Sequence, residues 1–534
     1  MHVRWLESRR GPLVAGLLGL AVTWWVWGRW APLPVIHDEV AYVLQARIFA
    51  SGHWSRPAPP MPEPFEEYHV LVQPVLAAKY HPGHSLALTP GAYLGAPQAG
   101  PLAVSALTGA LVFALARNLA GGPVAALTTL FWLLAPMNLK FRSTYLSQVT
   151  TSLLWVLALF CLERWLRTWR RGWLAGLALA VAACALTRPL TGLVLAVVTG
   201  AVVLHRVWQT RRPLELVLPF RLLLSVPAVL LWWSWATTGN PRESPRDLYT
   251  RQYMPWDRIG FGLDSASPAI PVSPDFKRFA AQFDTMHAEY TPARVPAALA
   301  VRTWSLLYEA LGAGVVLLLP CIVAGAWRRP AEAWVGLGAV GLLLLAHLIY
   351  AHPRWWTPYY LEGQAILAYF AAAGALAVAR LPRRLPDRSG PGRGWRARSL
   401  AVAARILLLA CLGIGVLALP SWRRWHRKFD AYARRFADRV SSLGSQRAVV
   451  FVRYAAKHYP DISLIDNPPD VASAPVWVVL DLGNQADRTL MTRAGGRQPF
   501  LLDECTGRLS PWEPGASVPD SSAAAGDCPW AKLD

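Results

Sequence analysis

A chain of 534 residues that is 54% hydrophobic and only 16% charged, with 27 Trp, is too apolar for an ordinary soluble protein of this size. Its net charge of +21 would suit nucleic acid if the basic residues shared a soluble face. Most of them instead sit in short gaps between apolar runs, where they signal membrane topology, so the composition predicts a multispanning membrane protein and excludes a nucleic-acid partner.

Arg4, Arg9 and Arg10 precede an apolar stretch over 11–30. It is long enough to span and no small-x-small cleavage site follows, so it reads as an uncleaved first helix rather than a signal peptide. Further runs of spanning length lie at 101–120, 123–141, 146–166, 173–187, 189–206, 214–237, 305–327, 331–351, 358–379 and 400–420. The expected fold is an all-α polytopic membrane protein of about eleven transmembrane helices.

With a cytoplasmic N-terminus, the connections RNLAGG, ERWLRTWRRG, HRVWQTRRPLE, AWRRPAE and RLPRRLPDRSGPGRGWRARS fall inside. They carry roughly 20 Lys and Arg against about 8 in the outer connections, as the positive-inside rule asks. WRRWHRK, after the last run, goes against that rule. Two long loops, 31–100 and 238–302, and a tail over 421–534 then lie outside. The inner connections are short and hold no GxxxxGK or strand-linked GxGxxG, so any chemistry belongs to the outer face.

In the first outer loop, HDEVAYVLQARIFASG has helical spacing and stops at Gly52, with Asp38, Tyr42, Gln45 and Phe49 on one stripe. Asp38 is either the N-cap of this helix or a carboxylate held ionised at the lipid–water boundary as a general base. Glu39 is either a first-turn partner of the helix dipole or a second catalytic acid. Farther on, KYHPGHSLALTPG offers Lys79 for an anion and Tyr80 and His81 for hydrogen bonds, with Pro82 and Gly83 making a turn before a short apolar helix. A metal site from His37, Asp38, His81 and His84 has weak spacing, so no metal or other cofactor is expected.

Between spans, Arg188 in LTRPLTG sits at the outer face, as a phosphate-binding cation or a snorkelling charge. Arg354, Tyr359, Tyr360 and Glu362 in HPRWWTPYYLEG open the next-to-last span; the tyrosines suit either an interfacial belt or a binding site. Arg354, and more weakly Lys140 and Arg142, place positive charge on the disfavoured side. The second loop carries Tyr249, Tyr253, Trp256 and Asp257, then a helix over 275–288, and reads as a sugar-binding lid or an ordered connector. In the tail, 422–443 reads as a basic, aromatic-studded helix along the membrane surface, followed by the buried strands AVVFVRY and VWVVLDLG of a small α/β unit. Cys161, Cys184, Cys321 and Cys411 are small hydrophobes in apolar runs, whereas Cys505 and Cys528 are a disulfide pair or two unrelated thiols.

With HDEVAYVLQARIFASG, KYHPGHSLAL, ALTRPLTGL and PYYLEG in this order, the chain resembles the bacterial membrane glycosyltransferases of the C-type fold, relatives of the protein O-mannosyltransferases and the lipid A aminoarabinose transferases. The likeness covers most of 12–380. It implies a transmembrane domain over 1–420, a small extracytoplasmic α/β tail, and a polyprenyl-phosphate-linked sugar as donor. By this resemblance Asp38 matches the residue that deprotonates the acceptor and Glu39 the second member of the acidic pair. Lys79, Tyr80 and His81 match the segment near the donor phosphate. Where relatives often show Ser-His-Pro, this chain has Ser147, Gln148 and Val149, and Gln148 cannot carry the charge of a protonated His.

The resulting expectation is an inverting transferase of the bacterial inner membrane, with membrane lipid and a polyprenyl-phosphate sugar as partners. It moves the sugar to a hydroxyl acceptor of unknown kind, glycan, lipid or protein, at the outer face. The rivals are a transporter or lipid flippase, and a non-catalytic member of the fold. Few mid-span charges and no clear internal repeat weigh against the first.

Overall fold

A computed structural model describes residues 4–263, 267–312, 330–380, 391–455 and 461–513, with a few isolated positions between these segments. The chain forms two compact units. One comprises Met1–Gly28, Pro101–Pro227 and Pro292–Arg424; the other comprises Arg29–Gly100, Ala228–Thr291 and Trp425–Asp534.

The first unit is helical and apolar, and the protein is a multi-pass membrane protein. Seven helices among the described residues are long and apolar enough to cross a bilayer: Ala99–Ala120, Ser147–Thr168, Pro189–Thr210, Pro213–Thr238, Ala331–Ile349, Thr357–Ala379 and Ala401–Ser441. Seven of the eleven apolar runs expected give helices of this length. The runs at 11–30, 123–141 and 173–187 give the shorter helices Arg10–Trp27, Gly122–Leu134 and Arg171–Thr187, and part of 305–327 lies outside the described residues. An apolar window does not register helix ends. Pro136 lacks an N–H and forces Ala135 into extended backbone, so it cuts 123–141 into Gly122–Leu134 and Pro136–Phe141. Helices Arg171–Thr187 and Pro189–Thr210 pack so closely at Gly192 that a Cβ there would lie 2.4 Å from Ala185 Cα.

The second unit is built on a four-stranded sheet with strands Ala448–Arg453, Val476–Leu480, Gln498–Asp503 and Arg508–Pro511. Ala448–Arg453 is central and parallel to both neighbours, and Arg508–Pro511 pairs antiparallel at one edge. Alternation along the central strand sends Val449 and Phe451 to one face and Val450 and Val452 to the other. On the first face Val449 and Phe451 pack with Ala41, Leu44 and Ile48 of the first-loop helix His37–Ala50. On the second, Val450 and Val452 pack with Tyr432, Ala433 and Phe436.

That second layer corrects the expected surface helix over 422–443. It is the end of one helix, Pro391–Ser441, that runs through Pro420, and its apolar stripe covers the sheet. A basic helix with interleaved aromatics has the same pattern in either role. A third cluster joins Tyr68 and Leu71 of the first loop to Tyr249, Tyr253, Trp256, Phe276 and Phe279 of the second, so both loops and the tail share one compact unit. The second-loop helices are Pro245–Tyr253 and Pro274–Glu289, each capped by a serine hydroxyl, Ser244 or Ser273. Cys505 is disulfide-bonded, while Cys528 lies outside the described residues, as does Cys321.

Candidate functional site

The helix His37–Ala50 starts at the mouth of the first loop, and Glu39 rather than Asp38 closes its N-terminus. Glu39 Oε2 accepts from the backbone amides of Val35 at 3.0 Å and Ile36 at 3.1 Å. This satisfies donors left open ahead of the first turn, a structural task for a buried carboxylate. Asp38 is thereby released from capping. The hydroxyl of Tyr80 donates to its Oδ1, and its Oδ2 lies 3.3 Å from His37 Nδ1 and 3.7 Å from His69 Nε2.

The Asp38 side chain keeps 31% of its surface exposed. Burial pushes its carboxyl up, but His69, His37 and the Tyr80 hydroxyl outweigh burial and hold it well below the ordinary carboxylate range. The positive end of the helix acts in the same direction. The stripe below it is the anticipated one. Tyr42 stacks on Tyr80 with ring centroids 4.5 Å apart, Gln45 bonds Trp54 O and the amide of Ala78, and Phe49 meets the rings of Trp54 and Trp233.

Lys79 is buried, 5% exposed, with Nζ 3.5 Å from Asp257 Oδ2 and 4.7 Å from the centre of the Tyr249 ring. Here it joins the first loop to the second. Burial lowers the pKa of this ammonium, while Asp257 works to raise it. His81 precedes the helix Pro82–Tyr93, whose first residues are Pro82 and Gly83 themselves rather than a separate turn. Burial, aided by Arg246, lowers the His81 imidazole to about 4. His84 packs edge-on against Tyr42, 4.8 Å between centroids.

The remaining candidates lie in the membrane unit. Arg188 links two helices, with its guanidinium 5.0 Å from the centre of the Tyr359 ring. Tyr360 is buried and its hydroxyl lies 2.9 Å from His352 Nε2. Thr151 donates to Glu362 Oε1, and Arg302 donates to the carbonyls of His347, Tyr350 and His352. Arg354 is exposed in a turn. Gln148 is in the first turn of Ser147–Thr168, its Oε1 3.5 Å from Ser147 Oγ. Among the spanning segments, this cluster gathers Arg188, His347, His352, Tyr359 and Glu362 in a way that suits an anionic or hydroxyl-rich ligand.

No family model and no curated protein matches the sequence. Among solved structures the chain is similar to ArnT from Cupriavidus metallidurans in the apo state, with 17% identity, coverage of 91% of this chain and 92% of that one, and a TM-score of 0.49. It is similar to arabinofuranosyltransferase AftD from Mycobacteria, with 15% identity, 94% of this chain and 36% of that one, and a TM-score of 0.49. Archaeal oligosaccharyltransferase AglB from Archaeoglobus fulgidus, in complex with an inhibitory peptide and a dolichol-phosphate, shows 13% identity, 93% and 69% coverage and a TM-score of 0.45. These matches are to membrane glycosyltransferases of the C-type fold, at low identity.

Sequence reasoning missed His69 and Asp461, which join His37 and Asp38. His69 has φ +66°, a left-handed backbone unusual for a residue with a Cβ. Its amide donates to Tyr249 Oη at 2.8 Å and its carbonyl accepts from the Lys79 amide at 2.9 Å, which fixes where the ring points. Asp461 arrives through backbone pairing. Ile36 bridges Ile462, the His37 amide donates to Asp461 O, and the Ser463 amide donates to Val35 O. No motif spacing announces partners so distant in the chain.

Proposed function

We propose that the protein transfers a sugar from a polyprenyl-phosphate carrier to a hydroxyl acceptor, with Asp38 as the general base and inversion at the anomeric carbon. The observation that carries this reading is the state of Asp38. It is a partly exposed carboxylate whose Oδ1 is oriented by Tyr80 and whose helix-start duties have passed to Glu39. A base needs an oriented lone pair on a carboxylate that substrate can reach, and the Asp38 side chain is both oriented by Tyr80 and partly exposed.

In the reaction the acceptor oxygen loses its proton to Asp38 and attacks the anomeric carbon, while the bond to the phosphate oxygen breaks and leaves its electron pair there. The departing phosphate needs a cation. Lys79, in the same unit as Asp38, is the candidate there, with Asp257 and Tyr249 beside its ammonium. Glu39 serves this reading by holding the turn that presents Asp38, and Tyr360 by bonding His352. The excess of Lys and Arg in the inner connections supports an outer-face site, and the reading places it in a bacterial inner membrane.

The test is reconstitution of the purified chain with a panel of polyprenyl-phosphate sugars, comparing wild type with Asp38→Asn. Loss of about 10²- to 10⁴-fold in rate is expected for the variant. Undiminished transfer by the variant removes Asp38 as base, and turnover with soluble nucleotide sugars overturns the donor.

A further inference from the structure

We propose that the helix Pro391–Ser441, just past its apolar segment, carries a docking surface for anionic phospholipid headgroups formed by Arg424, Arg427 and Lys428. The helix runs on through Pro420, and before that residue its open face is apolar, with Leu409 72% and Leu417 78% exposed. Helical steps of three and four residues carry this face from Leu417 through Ser421, Arg424, Lys428 and Ala431, all of them exposed. Arg427 is exposed beside them. The stripe that meets acyl chains therefore turns basic without changing direction.

Depth is fixed by two independent observations. At 1.5 Å per residue, Arg424 stands about 10 Å and Lys428 about 16 Å beyond Leu417. The headgroup layer is only about 5–8 Å thick, but these long side chains reach back along the helix surface toward it. The neighbouring Arg423 then gives a marker outside this helix, because its guanidinium lies 4.8 Å from the centre of the Trp25 ring, near the end of Arg10–Trp27. Trp24, Trp25 and Trp30 are exposed there, as aromatics at a lipid–water boundary are.

The charge has no counterpart within the protein. Arg424 donates to Ser421 Oγ at 2.9 Å, and no carboxylate among the described residues pairs with it or with Arg427. Asp430, one turn farther on, is taken up by Arg29, Arg434 and the Leu33 amide. The inner connections also put this end of the helix on the side where Lys and Arg are disfavoured, so an external anion offsets a real cost. A phospholipid fits better than a soluble anion. Its tails lie along Val416 and Leu417, both exposed, while its phosphodiester meets guanidinium groups that match phosphate oxygens two at a time.

This inference concerns lipid binding and does not depend on the transferase reading. The full chain, purified in detergent, is equilibrated with equal amounts of phosphatidylglycerol and phosphatidylcholine, and the lipids it retains are counted by native mass spectrometry. Wild type should retain phosphatidylglycerol in excess. Arg424→Gln/Arg427→Gln/Lys428→Gln should lose at least one phosphatidylglycerol per chain, its association falling roughly five-fold per residue removed, on the order of 100-fold in all. Arg424→Lys/Arg427→Lys keeps the charge and should keep the lipid. Arg447→Gln/Arg488→Gln/Arg508→Gln, an equal loss of charge from exposed positions off this helix, should change nothing. Basic groups of the inner connections are common to all four proteins, so the differences among them read this face. A wild type without preference for phosphatidylglycerol overturns the proposal, as does a glutamine variant that retains as much of it. Displacement of the lipid by an equal concentration of soluble glycerophosphate also overturns it, since the face then binds a free anion.

Discussion

The hydroxyl of Tyr80 donates to Asp38 across a separation of 42 residues, and the Tyr80 ring stacks on Tyr42, one helical turn beyond Asp38. One residue thus orients the proposed base and packs against the helix that carries it. Tyr80→Phe retains the stacking and removes only the hydroxyl. Hydrogen bonds to charged groups contribute about 1.5–3 kcal/mol, so a fall in kcat on the order of 10- to 100-fold is expected. Donor KM and the thermal midpoint should hardly change, which steady-state kinetics and a melting curve measure together.

Lys79 and Asp257 distinguish packing from phosphate binding. Breaking a buried ion pair by removing one partner costs about 3–5 kcal/mol, because the other charge stays behind. Lys79→Met should therefore lower the thermal midpoint, and Lys79→Met/Asp257→Asn should recover much of the loss. A Lys79→Met protein with unchanged stability and no activity would instead assign this ammonium to the donor.

Glu66 gives the second unit a pH dependence. Its carboxyl is buried beneath the start of the helix Pro274–Glu289, with Oε2 accepting from the Ser273 amide at 3.0 Å. Burial raises it from 4.5 to about 7, with Glu63 and Asp275 adding to the rise and Ser273 opposing it. Below about pH 4.5 both folded and unfolded chains hold this proton. Between about 4.5 and 7 the unfolded chain releases it first, so stability falls as pH rises, by about 3 kcal/mol once the folded group has also ionised. Glu66→Gln keeps an acceptor for Ser273 and removes this loss. Melting curves at intervals from pH 5 to 8 should show a flatter profile for the variant.

His458 and Glu504 anchor the tail segment that pairs with the start of the first-loop helix. His458 Nδ1 lies 2.7 Å from Glu504 Oε1, Nε2 lies 2.9 Å from Ile462 O, and Tyr432 donates to the same Glu504 oxygen. Ile462 is the bridge partner of Ile36. Glu504→Ala should destabilise the unit by about 3–5 kcal/mol. Faster amide exchange at His37 and Ser463 is expected before any change in the membrane helices, as hydrogen-exchange mass spectrometry reads out.

Much of this organisation was legible because it follows from local rules. The stripe of Asp38, Tyr42, Gln45 and Phe49 obeys the helical period, and the strands around Val449 and Val478 are short apolar runs between turns. The strands Gln498–Asp503 and Arg508–Pro511 went unseen, since a proline and exposed polar residues dilute their pattern. The run at 123–141 reads as one span because an apolar window does not register the break at Pro136. At the site, the carboxylate and its Tyr80 segment were readable as chemistry. His69 and Asp461 were not, and Asp257 was readable in the second loop but not as the partner of Lys79, because tertiary pairing rather than sequence spacing delivers these contacts.

The pairing of Ile36 with Ile462 sets a schedule for biosynthesis. Residues 35–37 leave the ribosome more than 420 residues ahead of the strand-like segment that completes them, a gap of roughly twenty to eighty seconds at about 5–20 residues per second. Throughout that interval the nascent first loop has no tail to close on, so the polar cluster around Asp38 is completed only as the last fifth of the polypeptide emerges. Release of the chain short of Ser463 leaves the seven long apolar helices among the described residues made and this cluster unfinished.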